Sequence, residues 1–227
     1  MSIKINGNTL TDELIHIMRL LRSKSIKTGS EAGLTLCEDQ KGNLNARNIR
    51  NGDLHTVAIV AECNEGEKFA GTYHTHPENE SKAPASDLIY CGVSKHLCIG
   101  GETDNKIRCY TWKHNTINND KFYELGKMSN RGIQNNNPTY QKNFECIKDL
   151  APIINLENNV RDRNQAIIKM RQDLQRAKIE KVSQSLIKKV EKLLKLHIES
   201  RAVIVKEIDK KMAEVVPKYY KEKILEE

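Results

Sequence analysis

Several features are missing from this sequence of 227 residues, and each omission narrows what the protein can be. No apolar run approaches the length of a membrane-spanning helix, and the first residues, MSIKING, lack the apolar segment of a secretory signal. The six cysteines include no Cys-x-x-Cys pair, and their spacing matches no zinc pattern. We therefore expect a cytoplasmic protein without membrane contact, whose thiols are reduced and mostly buried rather than joined in a disulfide framework.

Acidic residues are in the minority, and the basic excess is concentrated in the second half of the chain. The formal net charge is +7 and the isoelectric point is about 9.0. Residues 161–195 alone hold eleven Lys and Arg against four Asp and Glu, with no interleaved aromatic residues on which nucleic-acid bases could stack. Positive charge by itself supports only non-specific attraction, so nucleic acid is an unsupported partner. A protein partner or a homodimer held by the C-terminal segment is the first expectation.

Glycine is absent after Gly132, and no proline lies between Pro152 and Pro217. Apolar residues recur in this segment at intervals of three, four, five or seven, which indicates amphipathic helices. A single straight helix here would be about 95 Å long at 1.5 Å per residue, so the segment must fold back or pair with another chain. Irregular spacing from Arg176 to Val182 favours a helical hairpin over a long coiled coil.

Turn-forming residues divide the chain into three parts. Residues 127–139 lack periodicity and are rich in turn formers, so they are predicted to be a linker between a domain over residues 1–126 and a helical, coiled-coil-like extension over residues 140–227. Within the domain, the order of elements predicts an α/β sheet packed by helices. The expected elements are a helix over 11–26, strands over 32–37, 55–63, 69–75, 97–99 and 107–112, and a short helix over 86–94 with Ser86 as its N-cap.

The segment 71–77, GTYHTHP, contains the residues with the clearest chemistry. On a strand, His74 and His76 leave the same face and can bind one ion, and Pro77 stops the strand directly after them. Asp87, at the start of the next predicted helix, can return from the intervening loop as a third ligand. Two histidines and one carboxylate describe a zinc site that keeps a fourth position for water, as catalytic zinc sites do.

These residues resemble the JAMM family, also called MPN-plus or JAB-domain metallopeptidases. The HTHP core at residues 74–77 matches the family motif, Asp87 follows His76 by eleven positions, and the segment EAGLTL from Glu31 is similar to the family's Glu-x-Gly-Leu strand. The resemblance covers roughly residues 10 to 115 and implies an MPN/JAB-like (cytidine-deaminase-like) mixed sheet, here followed by an all-α hairpin or coiled-coil extension. It also implies Zn²⁺ as the cofactor, held by His74, His76 and Asp87.

The resemblance also implies catalytic roles, and two of them have alternatives. Glu31 would be the general base that takes a proton from the zinc-bound water, with Glu62 on the neighbouring predicted strand as its rival. Pro84 stands three residues before Asp87, where the family has its oxyanion-binding serine. Ser86, Ser81 or a backbone N–H could serve the oxyanion instead, and Ser86 equally fits a plain helix cap. His55, His96 and His114 stand alone on predicted strands or loops and are expected to be structural or surface residues.

The function expected from this resemblance is that of a zinc metallopeptidase, an isopeptidase that cuts the amide joining a ubiquitin-like protein to lysine. The metal chemistry follows from the residues, whereas the ubiquitin-like partner follows from the family alone. A second hypothesis is a non-catalytic MPN-like scaffold that works through its basic helical tail. A third follows from the similar His-x-His-Pro of RadC-type proteins, which would point toward DNA.

Overall fold

A mixed sheet of eight strands lies at the centre of the protein. The computed structural model describes residues 3–180 and 183–225. The strands are β1 (Ile3–Ile5), β2 (Asn8–Leu10), β3 (Ala32–Glu38), β4 (Asn43–Asn51), β5 (Lys68–His76), β6 (His96–Gly101), β7 (Ile107–Trp112) and β8 (Tyr220–Leu225). Their spatial order is β1-β2-β4-β3-β5-β6-β7-β8, with parallel pairing between β2 and β4 and between β5 and β6 and antiparallel pairing elsewhere. The predicted α/β class with a mixed sheet is confirmed.

Helices cover both faces of this sheet. They are α1 (Asp12–Thr28), α2 (Ala85–Leu88), α3 (Asn119–Asn130), α4 (Gln141–Ile179) and α5 (Gln184–Tyr219), with a 3-10 turn over Pro138–Tyr140. None of the helices within the described ranges combines the length and apolarity that a membrane span requires.

Helix α1, which agrees with the helix predicted over residues 11–26, packs on one face of the sheet. Thr11 caps its first turn by accepting a hydrogen bond from the Leu14 N–H, and Gly29 ends it in the left-handed conformation that glycine adopts without strain. Leu14 and Met18 are fully buried against Leu34 and other strand residues of that face. The removal of these side chains from water stabilises the contact by roughly 1.5 to 3 kcal/mol each.

The opposite face is covered by the C-terminal part of the chain. Phe144, Leu150 and Ile153 of α4 share a buried cluster with Ile99 of β6 and Tyr110 of β7. Strand β5, which carries His74 and His76, lies in the middle of the sheet. His74 is the register partner of Ile99, so the two histidines point to the face that α4 covers.

Helices α4 and α5 run antiparallel, and the predicted fold-back of the C-terminal segment is confirmed. Lys218 near the end of α5 pairs with Asp149 near the start of α4 at 3.1 Å, and Lys178 pairs with Glu191 at the other end at 3.7 Å. Helix α4 ends at Ile179 and α5 begins at Gln184. Residues 181 and 182, including Val182 of the irregular stretch, lie outside the described residues.

The boundaries drawn from the sequence differ from the structure at both ends of the helical segment. Helix α3 continues to Asn130, so residues 127–130 of the predicted linker are helical. After α5 the chain is not all-α, because β8 returns to the sheet and pairs with β7. The first half of α4 belongs to the main hydrophobic core. Two further residues of α4 are buried after Arg161, namely Ile167 and Leu174, and they lie outside both large clusters.

Two local predictions in the first domain are wrong. Residues 55–63 form no strand, because β3 already pairs with β4 on one side and β5 on the other. The segment lies over the sheet as a loop, held by hydrogen bonds such as that from Asn48 Nδ2 to the Glu62 carbonyl at 2.7 Å. The helix predicted over 86–94 is the single turn α2, and its N-cap position is occupied by Pro84 rather than Ser86.

The six cysteines form three pairs, which corrects the expectation of reduced thiols. Cys37–Cys63 joins β3 to the loop over residues 52–67, Cys91–Cys146 joins the segment after α2 to α4, and Cys98–Cys109 joins β6 to β7. The last two residues face each other in the strand register, with Cα atoms 4.0 Å apart. Partners separated by 26, 55 and 11 positions are brought together by tertiary structure, so their spacing in sequence showed no pattern.

His96 is fully buried and neutral, which predicts a pH-dependent stability. Its ring nitrogens lie 2.9 Å from the Thr111 hydroxyl and 3.0 Å from Asn8 Oδ1, and burial, reinforced by the charge of Lys95, lowers its pKa to about 3. The unfolded chain, with a histidine pKa of about 6.5, therefore binds a proton that the folded chain does not bind, and stability is lost as the pH falls below about 6.5. We expect the free energy of unfolding in urea to be about 2 kcal/mol lower at pH 4.5 than at pH 6.5.

Replacing His96 with glutamine should remove most of this pH dependence. The same substitution at the exposed His16 of α1 serves as the control and should leave the slope as it is. An equal slope in His96→Gln and wild type would show that other groups cause the loss.

Candidate metal centre

Strand β5 presents His74 and His76 on one face of the sheet. The two residues alternate with Tyr73 and Thr75, which are buried on the opposite face. Pro77 follows the last residue of the strand and, having no N–H, cannot extend the ladder. The histidines therefore lie where the strand ends and the loop toward α2 begins.

The side chains of His74, His76 and Asp87 converge on one point. His74 Nε2 lies 3.0 Å from His76 Nε2 and 3.1 Å from Asp87 Oδ2, and His76 Nε2 lies 3.3 Å from the same oxygen. Ligands at 2.0 to 2.1 Å in a tetrahedral zinc site are about 3.4 Å apart, so the three atoms fit three corners of such a site. The side chains of the two histidines are 13% and 12% exposed, so the fourth corner of the site is accessible from outside.

An outer hydrogen bond orients His76. Its Nδ1 lies 3.4 Å from the carbonyl oxygen of Glu80, which can only accept, so Nδ1 carries the proton. The lone pair of Nε2 then faces the common point of the three ligands. Ligating histidines are commonly held in this way by a second hydrogen bond.

The loop that returns Asp87 to the histidines depends on close packing against β6 and β7. A Cβ atom on Gly101 would lie 2.1 Å from the backbone nitrogen of Ser81, so a side chain there would displace the loop. The Tyr110 hydroxyl accepts a hydrogen bond from the Ala83 N–H at 3.0 Å. These contacts position the loop just before α2 and thereby place Asp87.

Contacts within this group of three side chains shift the pKa values of Asp87 and His74. Burial alone would raise the pKa of Asp87, but hydrogen bonds and charge from His74 and His76 outweigh burial and hold it well below its usual range. Burial alone would lower the pKa of His74, and the neighbouring Asp87 carboxylate outweighs this effect and raises it. The site therefore keeps an ionised carboxylate beside two imidazoles, which is a donor set that suits Zn²⁺.

Glu31 lies beside these three residues. Gly33 is the register partner of His74, so Glu31, two residues earlier, leaves the same face of the sheet. Burial raises the pKa of the Glu31 carboxyl, against the charges of His74 and His76, which lower it. Both histidines and Asp87 are therefore near enough to act on this carboxyl group.

Thr75, between the two histidines, fixes the position of the segment that carries Glu31. Its hydroxyl oxygen accepts from the Ala32 N–H at 2.8 Å and donates to Ser25 of α1 at 2.8 Å. The Glu31 N–H in turn donates to the Asp53 carbonyl at 2.6 Å. The N–H groups of Glu31 and Ala32 are thus each held by a hydrogen bond, one to a carbonyl oxygen and one to the Thr75 hydroxyl.

Glu62, the alternative base, lies far from the triad. Its neighbour Cys63 is joined to Cys37, which is paired with Phe69 of β5. Phe69 precedes His74 by five residues, or about 16 Å along the strand. The exposed loop residue His55 lines the cleft but is not part of the triad.

The candidates for the oxyanion are all engaged in other contacts. The buried Ser81 donates its hydroxyl to Asp104 at 2.6 Å. The N–H groups of Ala85 and Ser86 donate to the Glu157 carboxylate at 2.6 and 3.1 Å, and the exposed Ser86 hydroxyl also hydrogen-bonds to Glu157. Ser86 remains at the cleft, but neither it nor Ser81 presents an uncommitted donor.

A cleft of about 800 Å³ opens beside the triad, between the first domain and the helical hairpin. The domain contributes Glu31, His76 and Asp87 together with the loop over residues 77–84. The hairpin contributes the opposite wall, which consists of Glu157, Asn158, Arg161, Val205, Ile208, Asp209 and Met212. Sequence reasoning missed this wall, because nothing local in the helical segment marks a residue that meets α2 about 70 positions earlier.

Comparison with known proteins adds no further identification. No protein-family model matches the chain, and no curated protein is significantly similar to it. A functional assignment therefore depends on the motif and on the geometry of the site.

Proposed function

We propose that the protein is a zinc-dependent metallopeptidase of the JAMM type with an MPN/JAB-like domain. The observation that carries this proposal is the convergence of His74, His76 and Asp87 within 3.3 Å of one another, with Glu31 on the same face. A scaffold does not require three converging ligands with an accessible fourth position and an adjacent carboxylate.

His74, His76 and Asp87 would hold the ion. Zn²⁺, when bound, lowers the pKa of a coordinated water to about 7 and polarises a carbonyl. Glu31 would take a proton from the attacking water as the water oxygen bonds to the amide carbon, and it would pass that proton to the amine nitrogen as the carbon–nitrogen bond breaks. In the metal-free site burial raises the pKa of Glu31, and the charge of a bound Zn²⁺ would act against this shift and favour the ionised form that a general base requires.

The shape and lining of the cleft favour a polypeptide as the substrate. It has one wall on the domain and one on the hairpin, and apolar residues such as Ile208 and Met212 lie beside charged residues such as Arg161. A ubiquitin-like protein joined to lysine through its C-terminus is the substrate class that the family resemblance suggests. The outer part of the hairpin is available for a protein partner or a second copy of the chain.

Hydrolysis of a ubiquitin-like fusion tests this function. The purified protein should release the cleaved modifier, a zinc chelator should stop the reaction, and added Zn²⁺ should restore it. Product can be measured by electrophoresis and by mass, which also identifies the bond that is cut. Hydrolysis at an unchanged rate after verified removal of zinc would contradict the proposal.

A non-catalytic scaffold is the second candidate, and the engaged oxyanion donors favour it. Pro84 replaces the serine of the family motif, and Glu157 binds the N–H groups of Ala85 and Ser86. A scaffold of this kind would bind zinc without hydrolysing any amide substrate.

A further inference from the structure

Glu157 of α4 forms an unusual contact with the segment that carries Asp87. Its Oε1 accepts from the Ala85 N–H at 2.6 Å and its Oε2 accepts from the Ser86 N–H at 3.1 Å. These are the first two N–H groups of α2, and Asp87 is the next residue. Each carboxylate oxygen therefore holds one peptide group immediately before the metal-ligand candidate.

Helix α2 has no local means of making this contact. N–H groups at the start of a helix are normally satisfied by a polar side chain at the N-cap, but that position is Pro84, which offers none. A helix of four residues is also too short to be stable by itself. The carboxylate of a residue from another element performs the capping instead.

The other end of the α2 segment is also fixed by the C-terminal part of the chain. The Tyr220 hydroxyl of β8 donates to the Leu88 carbonyl at 2.8 Å, and Cys91 is joined to Cys146 of α4. The backbone that carries Asp87 is therefore held by α4 before the ligand and by β8 and α4 after it.

We propose that Glu157 is a positioning residue of the metal centre, which holds the peptides of Ala85 and Ser86 and thereby keeps Asp87 at the two histidines. This role rests on the proposed function, because it assumes that the triad binds a metal. Glu157 is half-buried in the wall of the cleft, and both oxygens of its carboxylate are engaged by these two N–H groups. In this way the helical hairpin is a component of the metal centre as well as a wall of the cleft.

The affinity of the full-length protein for Zn²⁺ tests this role. Glu157→Gln preserves the shape of the side chain but has one acceptor oxygen, and its NH₂ group faces an N–H that it cannot bind. We expect its dissociation constant for Zn²⁺, from competition with a chromogenic chelator, to rise about 10- to 100-fold, as is typical when an outer partner of a metal ligand is lost. Glu145→Gln, twelve residues earlier on α4 and outside the cleft, is the matched control and should bind zinc like wild type.

A double-mutant cycle separates positioning from a general structural effect. If Glu157 acts through Asp87, Glu157→Gln should weaken zinc binding in the wild-type background but add little in an Asp87→Ala background, where only the histidine pair remains. The melting temperature of the zinc-free protein, followed by circular dichroism, shows whether a variant is folded. Glu157→Asp, which retains the charge on a shorter side chain, replaces Glu157→Gln if the latter does not fold and should show the same direction of change.

The outcomes of this experiment are distinct. Wild-type protein that binds no zinc would refute the proposed function. Zinc binding by wild type with unchanged affinity in a folded Glu157 variant would refute the role of Glu157 and leave the proposed function in place. An equal loss of affinity in both backgrounds of the cycle would show that Glu157 acts on the whole fold and not through Asp87.

Discussion

After replacement of His76 with alanine the protein is expected to be purified without bound zinc, because its affinity is much weaker, whereas the wild-type protein should carry about one zinc per chain. The reason is geometric, because His76 Nε2 lies 3.0 Å from His74 Nε2 and 3.3 Å from Asp87 Oδ2, and its loss leaves two protein ligands on one side of the site. Elemental analysis of the purified proteins measures this directly.

His55→Ala is the control for the zinc measurement. His55 lines the same cleft but lies outside the triad, so its removal should leave the zinc content unchanged. Zinc present in neither wild type nor variant would remove the basis for catalysis. Zinc retained at full stoichiometry by His76→Ala would place the ion elsewhere in the protein.

Glu31→Gln is expected to reduce turnover of a cleavable substrate by about 10²- to 10⁴-fold, which is the usual contribution of a positioned general base. Glutamine retains the shape of the side chain but cannot accept the proton of the attacking water. The zinc content should stay at the wild-type level, because Glu31 is not one of the three converging ligands. The measurement is therefore the rate of hydrolysis by variants whose zinc content has been verified.

The matched control for Glu31 is Glu62→Gln. Glu62 was the alternative base, but the structure places it at the end of the loop joined to β3 through Cys37, away from the histidines. Its substitution should change turnover by less than about twofold, as is usual for surface residues away from a site. Full activity in Glu31→Gln would refute the assignment of the base, and loss of activity in Glu62→Gln would reverse it.

The parts of the candidate site that depend on local geometry could be predicted from the sequence. His74 and His76 alternate with Tyr73 and Thr75, and any strand places such a pair on one face. The association of Asp87 and Glu31 with this pair was inferred from the motif, and the structure brings all four residues to one place. The helical hairpin was likewise predictable, because a long amphipathic segment must bury its apolar face.

The remaining features depend on contacts between distant segments. Strand β4, with the sequence NLNARNIRN, has few apolar residues and was not predicted, yet it pairs with β3 along most of its length. Residues 55–63 are richer in β-branched residues but find no free strand beside β3. The contact of Glu157 with Ala85 and the three cysteine pairs likewise join distant segments, and such contacts leave no periodic pattern in the sequence.

The pairing of β7 with β8 gives the helical segment an unusual topological status. The chain leaves the sheet after Trp112 and re-enters it at Tyr220, and these two residues are register partners. The Lys113 N–H also donates to the Tyr219 carbonyl at 3.0 Å, so the ladder continues into the flanking residues. Helices α3, α4 and α5 are therefore one long insertion between the antiparallel strands β7 and β8, and the pairing of these strands fixes both ends of the insertion.

The entropic cost of closing a loop, expressed as a free energy, rises by only about 0.6 kcal/mol for each doubling of the loop length. The outer end of the insertion can therefore gain or lose helical turns at little thermodynamic cost, provided that Trp112 and Tyr220 still meet. Changes in the length of the α4–α5 pair would alter how far its outer end extends, while the register of the sheet and the contacts around Asp87 would remain as they are.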